Sequence, residues 1–306
     1  MKETLITNNP LDHQKVFANY YHHEQAQGLI VLFHGMAEHK ERYENFALFL
    51  HKHHFSVLVC DHRGHGESLI DGKIKGHFGN QDGWFYNLED LHQLTNQALK
   101  KNNINHHVLI AHSMGSLVAQ SYFKRYAHHI SHLILTGIPE SPPMLSGLSL
   151  FAKALAKRSK TKESDLLYQS SFLKFDKKTK SKEHLSWLSL NQDNVKAYKN
   201  DPLCGFKFTN QGLVDLLEGF KDIKSFNLSS EINPKTSIWF IIGEEDVTVN
   251  MNQVQKRMQF YQELGYEHVA TTLIAHAAHE VLFEKNMEYL YKQIVDHISK
   301  KEEKSE

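Results

Sequence analysis

The sequence predicts an α/β fold: a mostly parallel central sheet with helices on both faces and one helical insertion. Three observations lead there. Short apolar runs alternate with segments of helical period along most of the 306 residues. Those runs are apolar on both faces, as strands of a sheet covered on either side must be. From Pro139 to Pro234 the alternation lapses and no clear buried strand is seen, which marks 139–234 as an insertion between two parts of one core, 1–138 and 235–306.

The elements follow in order. Thr4 to Thr7 and Lys15 to Tyr21 flank a turn cluster of Asn, Pro and Asp and read as an antiparallel hairpin. Leu29 to Phe33 is the first run that is apolar on both faces, and it opens into His34-Gly35-Met36. A helix runs through Tyr43 to Leu50, and a second buried strand, Ser56 to Cys60, leads into Asp61-His62-Arg63-Gly64-His65-Gly66-Glu67-Ser68. Between Trp84 and Lys101 the period turns helical, with Leu88, Leu91, Leu94 and Leu99 set among polar residues. Val108-Leu109-Ile110 is too short for a helix and reads as a buried strand, followed by helical sequence from Ser116 to Gln120. His132 to Gly137, Ser237 to Ile242 and Ala270 to Ile274 supply further strands. Helices over Val254 to Leu264 and Val281 to Ile298 complete the alternation, and the last seven residues form a charged tail expected to fray. In open α/β sheets the ligand crevice lies at the carboxyl ends of the strands, where the insertion is expected to sit.

Composition narrows the function. With 41% hydrophobic and 23% charged residues the chain can bury a large core. Lys plus Arg and Asp plus Glu each number 35, so no overall electrostatic footprint for nucleic acid exists. Two cysteines, Cys60 and Cys204, give neither a disulfide framework nor a zinc knuckle and suit a reducing compartment. The first residues lack the apolar core of a signal peptide, and no apolar run is long enough to span a bilayer, so a cytoplasmic protein is expected. There are 23 histidines, several in doublets, but no H-E-x-x-H occurs; neither a metal nor another cofactor is expected.

The chemistry gathers at Ala111-His112-Ser113-Met114-Gly115. Strand, tight turn of small residues, then helix is the context of a nucleophile elbow, whose strained backbone lifts a serine hydroxyl clear of the sheet. A serine hydroxyl is a weak nucleophile until a base removes its proton, and the base needs a third group to orient it. Two later strands end in loops carrying those residue types: Glu244-Glu245-Asp246, and His276 with His279. Both loops leave the carboxyl ends of their strands and can converge on Ser113, in the order nucleophile, acid, base. The pattern alone leaves the three acids open; between the histidines it favours His279, which starts a helix after a small-residue turn. Acyl transfer also needs donors for the developing oxyanion, and the backbone N–H groups of Met114 and Met36 are the candidates.

Several of these segments carry a family resemblance. His34-Gly35-Met36-Ala37-Glu38-His39 with Arg42-Tyr43 resembles the HGxxEH…RY signature of the monoglyceride lipase and lysophospholipase branch of the α/β-hydrolases, related to the serine aminopeptidase-like hydrolases. The D-x-R-G-H-G-x-S segment from Asp61 to Ser68 and the H-S-M-G of the elbow resemble the same branch, and Asp201-Pro202-Leu203-Cys204-Gly205-Phe206 resembles a cap segment of bacterial members. The resemblance spans nearly the whole chain and implies an α/β-hydrolase fold with a helical cap, with Asp246 as the acid and His279 as the base. Two departures stand out: Ala111 replaces the first glycine of the elbow, and Met36 replaces a small residue, which is expected to narrow the acyl entrance.

The function this implies is a serine carboxylester hydrolase acting on a monoacylglycerol or a lysophospholipid through an acyl-enzyme. An esterase or amidase for small soluble substrates is the alternative, and a catalytically silent binding protein the third reading. Within the insertion, Met144, Leu148, Phe151 and Leu155 recur at helical spacing as the face expected to cover the pocket. Lys153, Lys157, Arg158, Lys160, Lys162, Lys174, Lys177, Lys178, Lys180 and Lys182 outnumber the acids Glu163, Asp165, Asp176 and Glu183. Beside a solvated face, this charge suggests transient peripheral contact of the cap with an anionic membrane.

Overall fold

The computed structural model describes residues 2–70, 73–165, 173–179, 181, 183–224 and 232–299. Eight strands form one sheet: β1 (Lys2–Asn8), β2 (Lys15–Tyr21), β3 (Gly28–Phe33), β4 (Phe55–Cys60), β5 (His107–His112), β6 (Ile130–Thr136), β7 (Ser237–Gly243) and β8 (His268–Ile274). Their order across the sheet is β1-β2-β4-β3-β5-β6-β7-β8. The hairpin β1–β2 joins β4 antiparallel, and every other pairing is parallel. The sheet is mostly parallel, as the alternation of strands and helices implied, and its order suits the α/β-hydrolase fold that the motif resemblance implied.

Period-two patterning explains the layers. On β3, Leu29, Val31 and Phe33 face one core with Leu88, Leu91 and Leu94 of α2 (Gly83–Asn102) and Leu117 and Val118 of α3 (Met114–Tyr126). Ile30 and Leu32 face the opposite core with Phe46, Ala47 and Leu50 of α1 (Glu44–Lys52). A strand buried on both faces has no polar alternation, which is why β3, β4 and β5 read as continuous apolar runs.

Between β6 and β7, adjacent in the sheet, the described chain forms α4 (Leu145–Arg158), α5 (Gln192–Asn200) and α6 (Asn210–Asp222). The remaining longer helices are α7 (Met251–Glu263) and α8 (Glu288–Ser299). Among the described residues no helix is long and apolar enough to cross a membrane.

Two expectations are corrected. The helix read over Val281 to Ile298 is broken: a 3-10 turn covers Val281–Phe283, Glu284 is extended, Asn286 is left-handed, and α8 starts only at Glu288. The Glu284 carboxylate is drawn away to accept the backbone N–H groups of Ala278, Leu190 and Asn191 and the Ser189 hydroxyl, at 2.8–2.9 Å. The apolar face assigned to α4 is only in part its buried one: Leu148 packs on the core and Leu155 is half-buried. Leu145, Ser149, Ala152 and Ala156 pack inward, while Met144 and Phe151 stand 85% and 53% exposed. Small residues line much of the face that α4 turns to α6, beside Leu145 and Leu148, while Leu150 and Phe151 are left outside.

Candidate active site

Parallel strands align their carboxyl ends, and β3, β5, β6, β7 and β8 release their loops at one edge of the sheet. Ser113 sits at the β5–α3 turn with φ 52° and ψ −121°, a conformation disfavoured for a side-chain-bearing residue. The fold enforces it from both sides. Ser113 N–H is held by Thr136 O at 2.9 Å, and the Ser113 carbonyl accepts the Ser116 N–H and hydroxyl at the start of α3. Gly115 must lack a side chain, because a Cβ there would lie 2.4 Å from the carbonyl oxygens of Phe33 and His34. Ala111, where a glycine was anticipated, is buried as the second-last residue of β5, and its methyl group belongs to the core.

Of the candidate acids and bases, Asp246 and His279 converge on this turn. The Ser113 hydroxyl lies 2.9 Å from His279 Nε2, and His279 Nδ1 lies 2.9 Å from Asp246 Oδ2. Glu244, Glu245 and His276 are exposed. Glu244 and Glu245 instead pin the loop through their backbone N–H groups, to Ile274 O and Ala277 O. Asp246 is anchored by Thr248, whose N–H and hydroxyl donate to Oδ1 at 2.9 and 2.7 Å.

Electrostatics follows from this pairing. Burial works to lower the His279 pKa, but the charge and hydrogen bond of Asp246 outweigh it and hold the imidazole above its ordinary value. Burial works to raise Asp246, and His279 and Thr248 together keep it below the usual carboxylate range. The same edge holds neutral histidines: burial lowers His112 to about 3, His65 to about 3 and His62 to about 4. They serve as hydrogen-bonding struts, as when His65 Nε2 accepts the Ala37 N–H at 3.2 Å and His34 Nε2 accepts the His62 N–H at 3.1 Å.

The loop after β3 abuts Ser113. A Cβ on Gly35 would come within 3.2 Å of Ser113 Cβ and 2.6 Å of Glu38 Oε1. Glu38 accepts the Gly35 N–H and the Tyr43 hydroxyl, fixing the path of the chain through Met36. Among the described residues, the backbone N–H groups of Met36 and Met114 are not taken up by the hydrogen bonding of the fold.

Four features were given no role at the site by our reading of the sequence, although Arg42 belongs to the motif that carried the resemblance. Thr248, two residues after Asp246, is a short-range clue that a D-x-T pattern offers in retrospect. Gly137, with φ +55°, leaves a gap into which the His279 ring fits, since a Cβ would lie 2.8 Å from Cε1. Trp187, from the segment between β6 and β7, sets its ring 5.2 Å from the His279 ring. Arg42 forms a two-pronged ion pair with Glu280, the residue after His279, at 2.6 and 2.8 Å, and Asn194 donates to the same carboxylate.

Two clusters have metal-ligand types among the described residues. In Glu38–His112–Glu280, Arg42 bonds both carboxylates; in His39–Asp201–Cys204, His39 Nε2 lies 2.9 Å from Asp201 Oδ2.

Comparison with known proteins identifies the family of the chain. Residues 24–286 match the family described as serine aminopeptidase, S33. The chain is 25% identical over 266 residues to a probable lysophospholipase L2 of Haemophilus influenzae, covering 84% of this chain and 79% of that one. It is 32% identical over 111 residues to a monoacylglycerol lipase of Mycolicibacterium smegmatis, 36% of this chain and 38% of that one. A thermostable carboxyl esterase of Bacillus coagulans superposes with a TM-score of 0.84 at 22% identity, covering 97% of each chain, and at that identity speaks for the fold alone.

Proposed function

Because the chain belongs to the serine aminopeptidase, S33 family of hydrolases, we propose that it is a serine carboxylester hydrolase that cleaves the acyl ester of a monoacylglycerol or lysophospholipid. The observation that carries this reading is the chain of hydrogen bonds from Ser113 through His279 to Asp246. The names of the sequence relatives, a lysophospholipase and a monoacylglycerol lipase, support the substrate class.

In this mechanism Ser113 Oγ attacks the ester carbonyl while His279 Nε2 takes its proton, and Asp246 stabilises the imidazolium. The Met36 and Met114 amides donate to the tetrahedral oxyanion. Collapse expels the alcohol, which receives the proton from His279 and leaves an acyl-Ser113 ester. Water, deprotonated by His279, then attacks the acyl carbon, releases the fatty acid and restores the serine. Residues 139–234 act as the cap over this chemistry, with Met36 narrowing the entrance.

Replacing Ser113 with Ala abolishes turnover and fluorophosphonate labelling while the fold is kept; hydrolysis retained by that variant refutes the assignment. A panel of monoacylglycerol, lysophosphatidylcholine and short-chain esters distinguishes the lipid reading, which requires a preference for long acyl chains, from a soluble-ester activity.

The cap is also proposed to touch anionic membranes transiently through α4. Leu150 is 73% exposed beside Phe151, and Lys153, Lys157 and Arg158 are exposed on the same helix. Apolar side chains ringed by cations suit an anionic lipid surface, each cation adding about 1 kcal/mol. Lys180 and Lys182 lie outside the described residues. Vesicle co-sedimentation should favour anionic over neutral lipid, and equal partition removes the electrostatic contribution.

A further inference from the structure

We infer that Trp187 is a positioning residue for the base His279, so that a fixed wall of the insertion, rather than the sheet alone, sets the geometry of proton transfer. This rests on the proposed role of His279. A base hydrogen-bonded at both ring nitrogens still has to be held against rotation and tilt, and the rings around it decide that. Among the described residues, two rings lie within 6 Å of His279: His112, from β5, with centroids 4.7 Å apart, and Trp187, with centroids 5.2 Å apart and planes inclined by 56°. Gly137 closes the ring in near Cε1 and Nδ1.

The tryptophan is itself fixed. Its ring is buried with Leu185, Leu188, Val195 and Tyr198 in a small core that also takes in Ala37 of the loop after β3, and Phe175 packs 5.3 Å from it. The backbone around it is bonded to the base loop: His279 N–H donates to Trp187 O at 3.4 Å, and Glu280 N–H to Leu188 O at 2.8 Å. Side chains repeat the connection, since Glu284 holds residues 189–191 and Glu280 holds Asn194. Six or more bonds therefore tie segment 187–194 to loop 278–284. Segment 187–194 thus cannot move aside without taking the loop of His279 with it.

The reacting atoms need a defined separation, and misplacement by about 1 Å is worth about 100-fold in rate. Trp187→Ala removes the ring that bears on His279 and should lower kcat about 10- to 100-fold, with KM changed far less. Trp187→Phe, which keeps an aromatic wall, should restore most of the loss. Val195→Ala is the structural control: it opens the same small core without facing the base, and should lower the melting temperature while leaving kcat near that of the wild type.

Kinetics and melting of the full chain on a short-chain ester decide the matter. A Trp187→Ala enzyme with wild-type kcat overturns the inference, as does a Val195→Ala enzyme that loses as much kcat as Trp187→Ala. Failure of the underlying reading looks different, because wild-type protein would then hydrolyse no ester and take no fluorophosphonate on Ser113.

Discussion

A single methyl group on Gly137 puts the placement of the base to the test. The Cβ of an alanine there would lie 2.8 Å from His279 Cε1, 3.0 Å from its Nδ1 and 2.8 Å from Cε1 of His112. Non-bonded carbons settle about 3.5–4.0 Å apart, so one or both rings must retreat by roughly 0.7–1 Å. His112 has little room to give, being buried and hydrogen-bonded through Nδ1 to Thr136 Oγ1 at 3.0 Å. The retreat therefore falls largely on His279 and lengthens its 2.9 Å contact with Ser113. A displacement of that size lowers kcat by about 100-fold. The left-handed backbone, φ +55°, adds about 1–2 kcal/mol of destabilisation. Gly137→Ala should thus lose about two orders of magnitude in kcat while melting only a few degrees lower. Steady-state hydrolysis of a short-chain ester, with thermal unfolding monitored in parallel, measures both. A variant that melts lower but retains kcat would show that the His279 position is not limited by this gap.

Further predictions concern protons. His279 must be neutral to accept the serine proton, so kcat/KM should fall as pH drops through its raised pKa. Asp246→Asn removes the charge that raises it and leaves burial, which lowers it; the acid limb should move to lower pH and kcat fall about 10⁴-fold. An acid limb that stays in place would detach Asp246 from the base. Stability should also respond to acid. Five buried histidines, His34, His62, His65, His107 and His112, have folded pKa values below the ordinary one, so they stabilise the fold when neutral and lose that contribution as pH falls below the unfolded value. Asp215, raised to about 7 by burial, holds one proton the other way. Asp61 and Asp90 are raised by burial in the same sense as Asp215, so the histidines' loss is opposed by these carboxylates and should be steepest just below the ordinary histidine range. Acid unfolding should therefore set in below the ordinary histidine range and be well advanced by about pH 3. Circular dichroism showing native structure at that pH contradicts the claim that these rings remain neutral.

What could be read from the sequence had local causes. Strands such as β3 and β4 were legible because a parallel sheet covered on both faces needs apolar residues at every position. The elbow at Ser113 was legible because a strand-to-helix turn admits few residue types, and Asp246 and His279 followed from chain order with the motif resemblance. What stayed hidden depends on partners distant in sequence. Nothing around Glu284 signals that its carboxylate serves residues 189–191, so the helix pattern was carried across it. The face of α4 was misread in part because its spacing permits two stripes, and packing on α6 selected the one richer in small residues. Trp187 and Gly137 gain meaning only from the ring they bear on, which is 92 and 142 positions further along the chain at His279.

The break at Glu284 bears on how modular the insertion is. One carboxylate terminates a helix of the core, seals the backbone N–H of Ala278 next to the base, and receives three groups from residues 189–191. An insertion joined to its host by two chain crossings alone could be exchanged between relatives as a cassette. Here the host loop is finished with atoms the insertion provides, so a transplant that changed segment 187–194 would also unseat the loop on which His279 stands. Segment 187–194 is accordingly constrained by the loop it completes, whatever ester the chain takes.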